Sequence, residues 1–280
     1  MAKVYVGTSG YSYKDWRGAV YPESARPSEY LSLYSREFPF VELNFSYYRQ
    51  PTREMCASFL EKTPDDFVFS IKAHRSVTHD RKADWKREAD VFRLGIGPLT
   101  ASGRLAAVLL QFPYSFHRTR ENRLYLGEVC DSFEGLPLAV EFRSREWQLP
   151  EVEEGLAERG VTAVNVDAPG LENLPNPSAA VTSSLAYVRF HGRNEKAWWT
   201  GTNVSRYDYL YNPGELEAWV ARVRSMIEKA EVLLVSFNNH HKGQAVQNAR
   251  EFSSMLRAGG VEVPRPGKPG QGAGQKSADR

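Results

Sequence analysis

Two glutamates, Glu42 and Glu141, each stand at the end of a short apolar run, with a second polar residue two positions on: Asn44 after the first and Arg143 after the second. Paired carboxyl groups can do acid–base chemistry when one has a raised pKa and the other is kept ionised by a cation such as Arg143 or Arg189. A blander arrangement suits Glu141 equally. It stands two residues from Arg143, so on a strand the two side chains share a face and can neutralise each other. Lys72 ends another apolar run, Phe67 to Ile71. Burial there would lower its pKa and free the amine for Schiff-base chemistry; as an ordinary cation it would pair with Glu42 or hold an anionic substrate. His191 lies between Arg189 and Arg193, whose planar guanidinium forks suit bidentate recognition of phosphate or carboxylate.

Glu141, Asp167, His191 and His74 carry donor atoms suited to a divalent metal such as zinc or manganese. They are scattered along the chain without a local ligand signature, and a metal-free hydrogen-bonded network would use the same residues. A divalent metal is therefore an open possibility with no fixed ligand set.

These residues form one site only if the chain gathers them. Eight apolar runs rich in β-branched and aromatic residues recur at Lys3–Gly7, Phe40–Asn44, Phe67–Lys72, Ala106–Phe112, Leu138–Phe142, Val161–Asp167, Ala186–His191 and Val232–Phe237. Most are apolar on both faces, as parallel strands covered by helices require. Helical periodicity fills the intervals. Leu216, Trp219, Val220, Val223 and Ile227 repeat after the Asn212-Pro213 start signal; Leu126, Val129, Cys130 and Phe133 repeat upstream, and Ala245, Ala249, Phe252 and Leu256 near the end. Eight strand–helix units over about 250 residues predict a TIM-like (β/α)8 barrel. Neither GxGxxG nor GxxxxGK[ST] is present to argue for a doubly wound nucleotide fold.

The predicted organisation is a single barrel domain over 1–260 followed by a disordered Pro/Gly-rich tail over 261–280. In such a barrel the strands' carboxyl ends form the active site. The candidates there are Thr8 and Ser9, Glu42 and Asn44, Lys72 and His74, Gln111, Glu141 and Arg143, Asp167, Arg189 and His191 with Arg193, and Asn238 and Asn239. Glu42, Glu141, Lys72 and His191 are the expected catalytic groups, and Ser9, Asn44, Gln111, Arg143, Asp167, Arg189, Arg193, Asn238 and Asn239 are expected to bind substrate. The aromatic segment from Trp198 to Tyr211 is either a lid that stacks on sugar or base rings or a packed cap on the rim.

Composition narrows the partners. With 36 basic against 34 acidic residues, net charge argues for neither nucleic acid nor an anionic membrane. No apolar stretch approaches the roughly 18 residues of a membrane span, and the start is too polar for a signal peptide, so a cytoplasmic location is expected. Cys56 and Cys130 fall in amphipathic helical patterns and read as core residues rather than a disulfide or a link to a partner.

Gly7-Thr8-Ser9-Gly10-Tyr11-Ser12-Tyr13 with Trp16 and Gly18, Val41-Glu42-Leu43-Asn44 with Tyr48-Arg49-Gln50-Pro51, Lys72 with Thr78-His79, Gln111-Phe112-Pro113, Glu141-Phe142-Arg143 with Trp147, Arg189-Phe190-His191-Gly192-Arg193, and Phe237-Asn238-Asn239 with Ala245 and Asn248-Ala249 follow one another in order. Together, up to about Leu256, they resemble the DUF72, or YecE-like, family of unknown function. The resemblance implies a TIM-like barrel with a site at the strand ends, and its motifs add Tyr11, Tyr48, Arg49 and His79 to the binding candidates. Tyr11 stands where the family often has Trp. His240 follows Asn238-Asn239 where Asp is frequent, which removes one carboxylate from any metal site, although His240 or His241 could replace it. The leading expectation is an enzyme, a hydrolase, lyase or isomerase, acting on a polar or anionic small molecule or nucleic-acid fragment. The alternatives are a non-catalytic nucleic-acid- or protein-binding barrel and a metal-dependent phosphodiesterase.

Overall fold

All eight predicted strands form. In the computed structural model, which describes residues 2–265, they are β1 (Lys3–Ser9), β2 (Phe40–Leu43), β3 (Val68–Lys72), β4 (Leu105–Gln111), β5 (Leu138–Glu141), β6 (Thr162–Asp167), β7 (Leu185–Phe190) and β8 (Val232–Phe237). Each pairs in parallel with its sequence neighbours, and β8 returns to β1, closing the barrel. Around it run α1 (Tyr30–Tyr34), α2 (Arg53–Glu61), α3 (Trp85–Gly95), α4 (Gly97–Ala101), α5 (Arg120–Ser132), α6 (Pro150–Glu158), α7 (Asn203–Arg206), α8 (Pro213–Ile227) and α9 (Gln244–Ala258). The Asn212-Pro213 signal acts as expected: Asn212 caps α8, Glu215 completes a capping box, and Pro213 occupies the first turn.

Strand alternation divides the core in two. Phe40, Ala107, Leu109, Ala139, Leu185, Tyr187 and Leu234 pack together inside the barrel. Their strand neighbours Val41, Val108, Leu110, Val140, Ala186, Val188, Leu233 and Val235 belong to the larger cluster under the helices. Gly7 lets β1 approach β2, because a Cβ there would stand 2.1 Å from the Phe40 carbonyl oxygen. Cys56 and Cys130 are free, buried thiols, and burial pushes both up to about 11.

The predicted tail begins too early. Val261 and Val263 are buried against the helix-side cluster, and the Val261 amide donates to the Leu256 carbonyl. Two valines spaced by one residue give this segment an apolar face that its Pro/Gly surroundings conceal; residues 266–280 of the expected tail lie outside the described residues. Among the described residues no helix is long and apolar enough to cross a membrane.

Candidate active site

The inward face of each strand continues past its last apolar residue, and this alternation selects the site. Counting in twos from Phe40 reaches Glu42 and Asn44; from Ala139, Glu141 and Arg143; from Tyr187, Arg189 and His191; from Leu109, Gln111; and from Leu234, Asn238. All of these meet at the carboxyl end of the barrel, as do Ser9 and Lys72.

Arg189 stands at the centre. Its Nε and Nη2 donate to Glu42 Oε2 and Oε1 at 2.7 and 2.6 Å, and Nη1 donates to Glu141 Oε2. Glu42 also accepts from the Tyr187 hydroxyl at 2.6 Å and from Ser9 Oγ, while Asn44 Nδ2 donates to Ser9 Oγ at 2.6 Å. Arg143 Nε lies 2.5 Å from Glu141 Oε1 as an ion pair whose N–H is not aligned for a hydrogen bond. Burial alone would raise both carboxyl pKa values. Arg189 for Glu42, and Arg143 with Arg189 for Glu141, outweigh it and hold both below the usual carboxylate range. The two are ionised together, without the one raised carboxyl that an acid–base pair requires.

His191 is fully buried, with Nε2 3.1 Å from Glu141 Oε1 and Nδ1 3.1 Å from Asn238 Nδ2. With Asn238 donating to Nδ1, the ring carries its proton on Nε2 and donates to Glu141. Burial and then Arg143 bring its pKa down to about 4, so it is neutral.

Above this charged floor opens a cavity of about 990 Å³, the size of a small-molecule site. Its walls include Arg49, Lys72, Arg143, Arg189 and Arg206, and no Asp or Glu among the described residues. Between the cations stand aromatic rings. Arg143 and Arg206 lie 5.9 and 6.0 Å from the Trp198 ring, and Lys72 Nζ is 4.3 Å from the centre of the Tyr47 ring. Tyr48 and Trp199, 69% and 52% exposed, mark the rim. Tyr11, Tyr13, Asn44, His79, Gln111 and Asn238 also line it.

Lys72 does not pair with Glu42. Its Nζ donates to Gln111 Oε1 at 2.7 Å and makes no ion pair among the described residues. Burial, with Arg189 and Arg143 nearby, pushes its pKa down to about 7. His79 reaches the same wall from a π-helical turn, Ser76–Asp80, closed by Arg81 in the left-handed region at φ 47°. Burial and Lys72 bring His79 down to about 4.

The outward face explains the candidates that do not meet. Asp167 continues from Ala163 and Asn165, away from the interior, and is consumed by Arg193, which donates to both its oxygens at 2.8 and 2.6 Å, by the Tyr211 hydroxyl at 2.8 Å and by Trp219 Nε1 at 2.6 Å. The forks of Arg189 and Arg193, expected to meet a ligand anion, are thus largely spent on internal carboxylates. Thr8 binds the Tyr34 hydroxyl, and Asn239 bonds the Tyr209 carbonyl and Asn248. His74 bonds Ser76 Oγ away from the cavity. The donor set considered for a metal therefore does not assemble, and among the described residues no three His, Cys, Asp or Glu stand together to hold an ion.

The aromatic segment is cap and wall at once. Trp198 packs with Ala168 and Leu174, and Tyr211 is buried, yet Trp198, Trp199, Arg206 and Tyr207 all line the cavity. Tyr47 and Arg206 were not among the sequence candidates. Arg206 lay within the flagged aromatic segment, whereas nothing in the sequence set Tyr47 apart from Tyr48.

The family model described as protein of unknown function DUF72 matches residues 5–272. The UPF0759 protein YunF of Bacillus subtilis is 33% identical over 271 residues, covering 90% of this chain and 94% of that protein. A DUF72 family protein of Thermotoga maritima superposes with a TM-score of 0.84 at 42% identity, covering 91% of this chain and 99% of the other. A DUF72 family protein of Enterococcus faecalis gives 0.83 at 26% identity, covering 95% and 98%.

Proposed function

The chain belongs to the DUF72 family, which is defined without a reaction, and from the geometry of its barrel mouth we propose that it is an enzyme acting on an anionic, ring-bearing small molecule. The observation that carries this reading is a small-molecule-sized cavity walled by cations and aromatic rings, with the carboxylates of Glu42 and Glu141 sealed beneath it by Arg189. Such a wall attracts negative charge and offers flat faces for stacking.

Arg143 is the principal anion ligand: one edge faces Glu141, and its terminal nitrogens make no hydrogen bond among the described residues. Asn44 Oδ1 is a buried acceptor without a partner among the described residues and would take a substrate N–H or O–H. Glu42 and Glu141 act as fixed counter-charges that orient Arg189 and Arg143 before substrate arrives, and neutral His191 locks Glu141 in place. Lys72, whose pKa burial brings down to about 7, is placed to gain and lose a proton near neutrality, which suits lyase or isomerase chemistry by proton transfer.

Phenyl phosphate titrated into the protein should quench the fluorescence of Trp198 and Trp199 saturably. Arg143→Gln should weaken that binding roughly 10- to 100-fold, the value of one hydrogen-bonded charge pair. An unchanged affinity in a folded Arg143→Gln protein would remove Arg143 from the anion site.

A further inference from the structure

We propose that Lys72 forms a Schiff base with a carbonyl compound bearing a carboxylate or phosphate, whose anion rests on Arg143. The inference deepens the anion-site reading above and depends on it. It begins from an anomaly of pairing. Buried lysines ordinarily sit against carboxylates, and two carboxylates lie in this mouth, yet Arg189 takes both and Arg143 shares one. Lys72 is left with the neutral Gln111 oxygen at 2.7 Å, the face of Tyr47 and the open cavity.

An amine held among guanidinium groups and rings, with no ion pair among the described residues, is pressed to shed its proton and becomes a nucleophile. The pKa of about 7 agrees with that arrangement. Gln111 Oε1 accepts one N–H and so leaves the nitrogen lone pair to turn toward the cavity. A mere anion-binding cation would gain from a carboxylate neighbour that kept it charged, and the fold gives the neighbouring carboxylates to the arginines instead.

The step balances without a redox partner. The Lys72 lone pair forms a C–N bond to the carbonyl carbon, and the C=O π pair moves to oxygen, which takes a proton. The nitrogen loses a proton to solvent, the resulting hydroxyl takes a second proton from solvent and leaves as water as the nitrogen lone pair forms the C=N bond, and the protonated C=N that results withdraws electrons from the bond next to the former carbonyl. That is the chemistry of a lyase or an isomerase.

The test uses the full chain at pH 7 with glyoxylate, and separately pyruvate, plus cyanoborohydride, which fixes an imine as a stable amine. One reduced adduct per chain should appear, mapped to Lys72 by peptide mass spectrometry, forming roughly a hundredfold faster than on surface lysines, whose ordinary pKa near 10.4 leaves few neutral amines. Glycolate, which has the anion without the reactive carbonyl, should protect, and Lys72→Arg, shown to be folded by its thermal denaturation, should lose the adduct. If phenyl phosphate and glycolate bind but neither carbonyl probe labels Lys72 faster than surface lysines, the Schiff base is overturned and the anion site stands. If no anion binds and adducts spread evenly over the lysines, both readings fall.

Discussion

Replacing Arg189 with Met should cost about 3–5 kcal/mol of stability, because it strips the shared counter-charge from two buried carboxylates. For a chain of this size that is a fall in Tm of roughly 6–15 °C. The loss should depend on pH with a definite sign. In the parent, the Glu42 and Glu141 pKa values lie below their ordinary range, so their contribution is present above that range and fades as pH falls toward the folded-state values. In the variant Glu42 loses its main relief from burial and its pKa rises, while Glu141 keeps only Arg143 and loses part of its relief, so the folded state is penalised as pH climbs through and above the ordinary carboxylate range. The gap between parent and variant, followed by thermal denaturation from pH 4 to 7, should widen with pH. A gap that is flat or below about 1 kcal/mol would mean that the triad does not organise the floor of the site.

Asp167→Ala should be comparably destabilising for a different reason. Four donated hydrogen bonds converge on that carboxylate, from Arg193 twice, Tyr211 and Trp219, and the last two are buried. Removing it leaves the Arg193 guanidinium with only Glu215 and leaves the Tyr211 O–H and the Trp219 indole N–H without an acceptor, worth about 3–5 kcal/mol in chemical denaturation. Asp167 and Arg193 do not line the cavity, so phenyl phosphate affinity should stay within about threefold of the parent, twofold changes being a few tenths of a kcal/mol. A folded Asp167→Ala protein that no longer binds would return Asp167 to the ligand set where the sequence placed it.

Those two residues show how far the sequence could be read. Apolar runs with helical stripes between them were enough to find eight strands and the closed barrel, since burial on both faces and repeat count are properties of local pattern. The same double-sided burial hid the direction of each strand-end residue. In a half-exposed strand, polar alternation says which face is inside. In β7 both faces are apolar, and in β6 Asn165 and Asp167 share the face opposite Val164 and Val166 without telling which face is inside, yet Asp167 points to α8 and Arg189 into the barrel. Pairing was the second hidden layer. Glu141 and Arg143 share a face as their spacing allowed, but the sharing of both glutamates by Arg189 depends on closure between strands far apart in sequence. That Lys72 makes no ion pair among the described residues is a consequence of that distant pairing and has no signature of its own near residue 72.

Lys72 is also where the account is most exposed to a single measurement: its reactivity toward trace acetic anhydride from pH 5 to 11, followed on the peptide that contains it, with the exposed lysines as internal reference. Reactivity follows the neutral amine and therefore rises with pH through the pKa. A midpoint near 7 is the predicted result, with Lys72 ahead of the exposed lysines at neutral pH. A midpoint near 10, where an ordinary lysine titrates, would show a charged amine at neutral pH and contradict the role given to it.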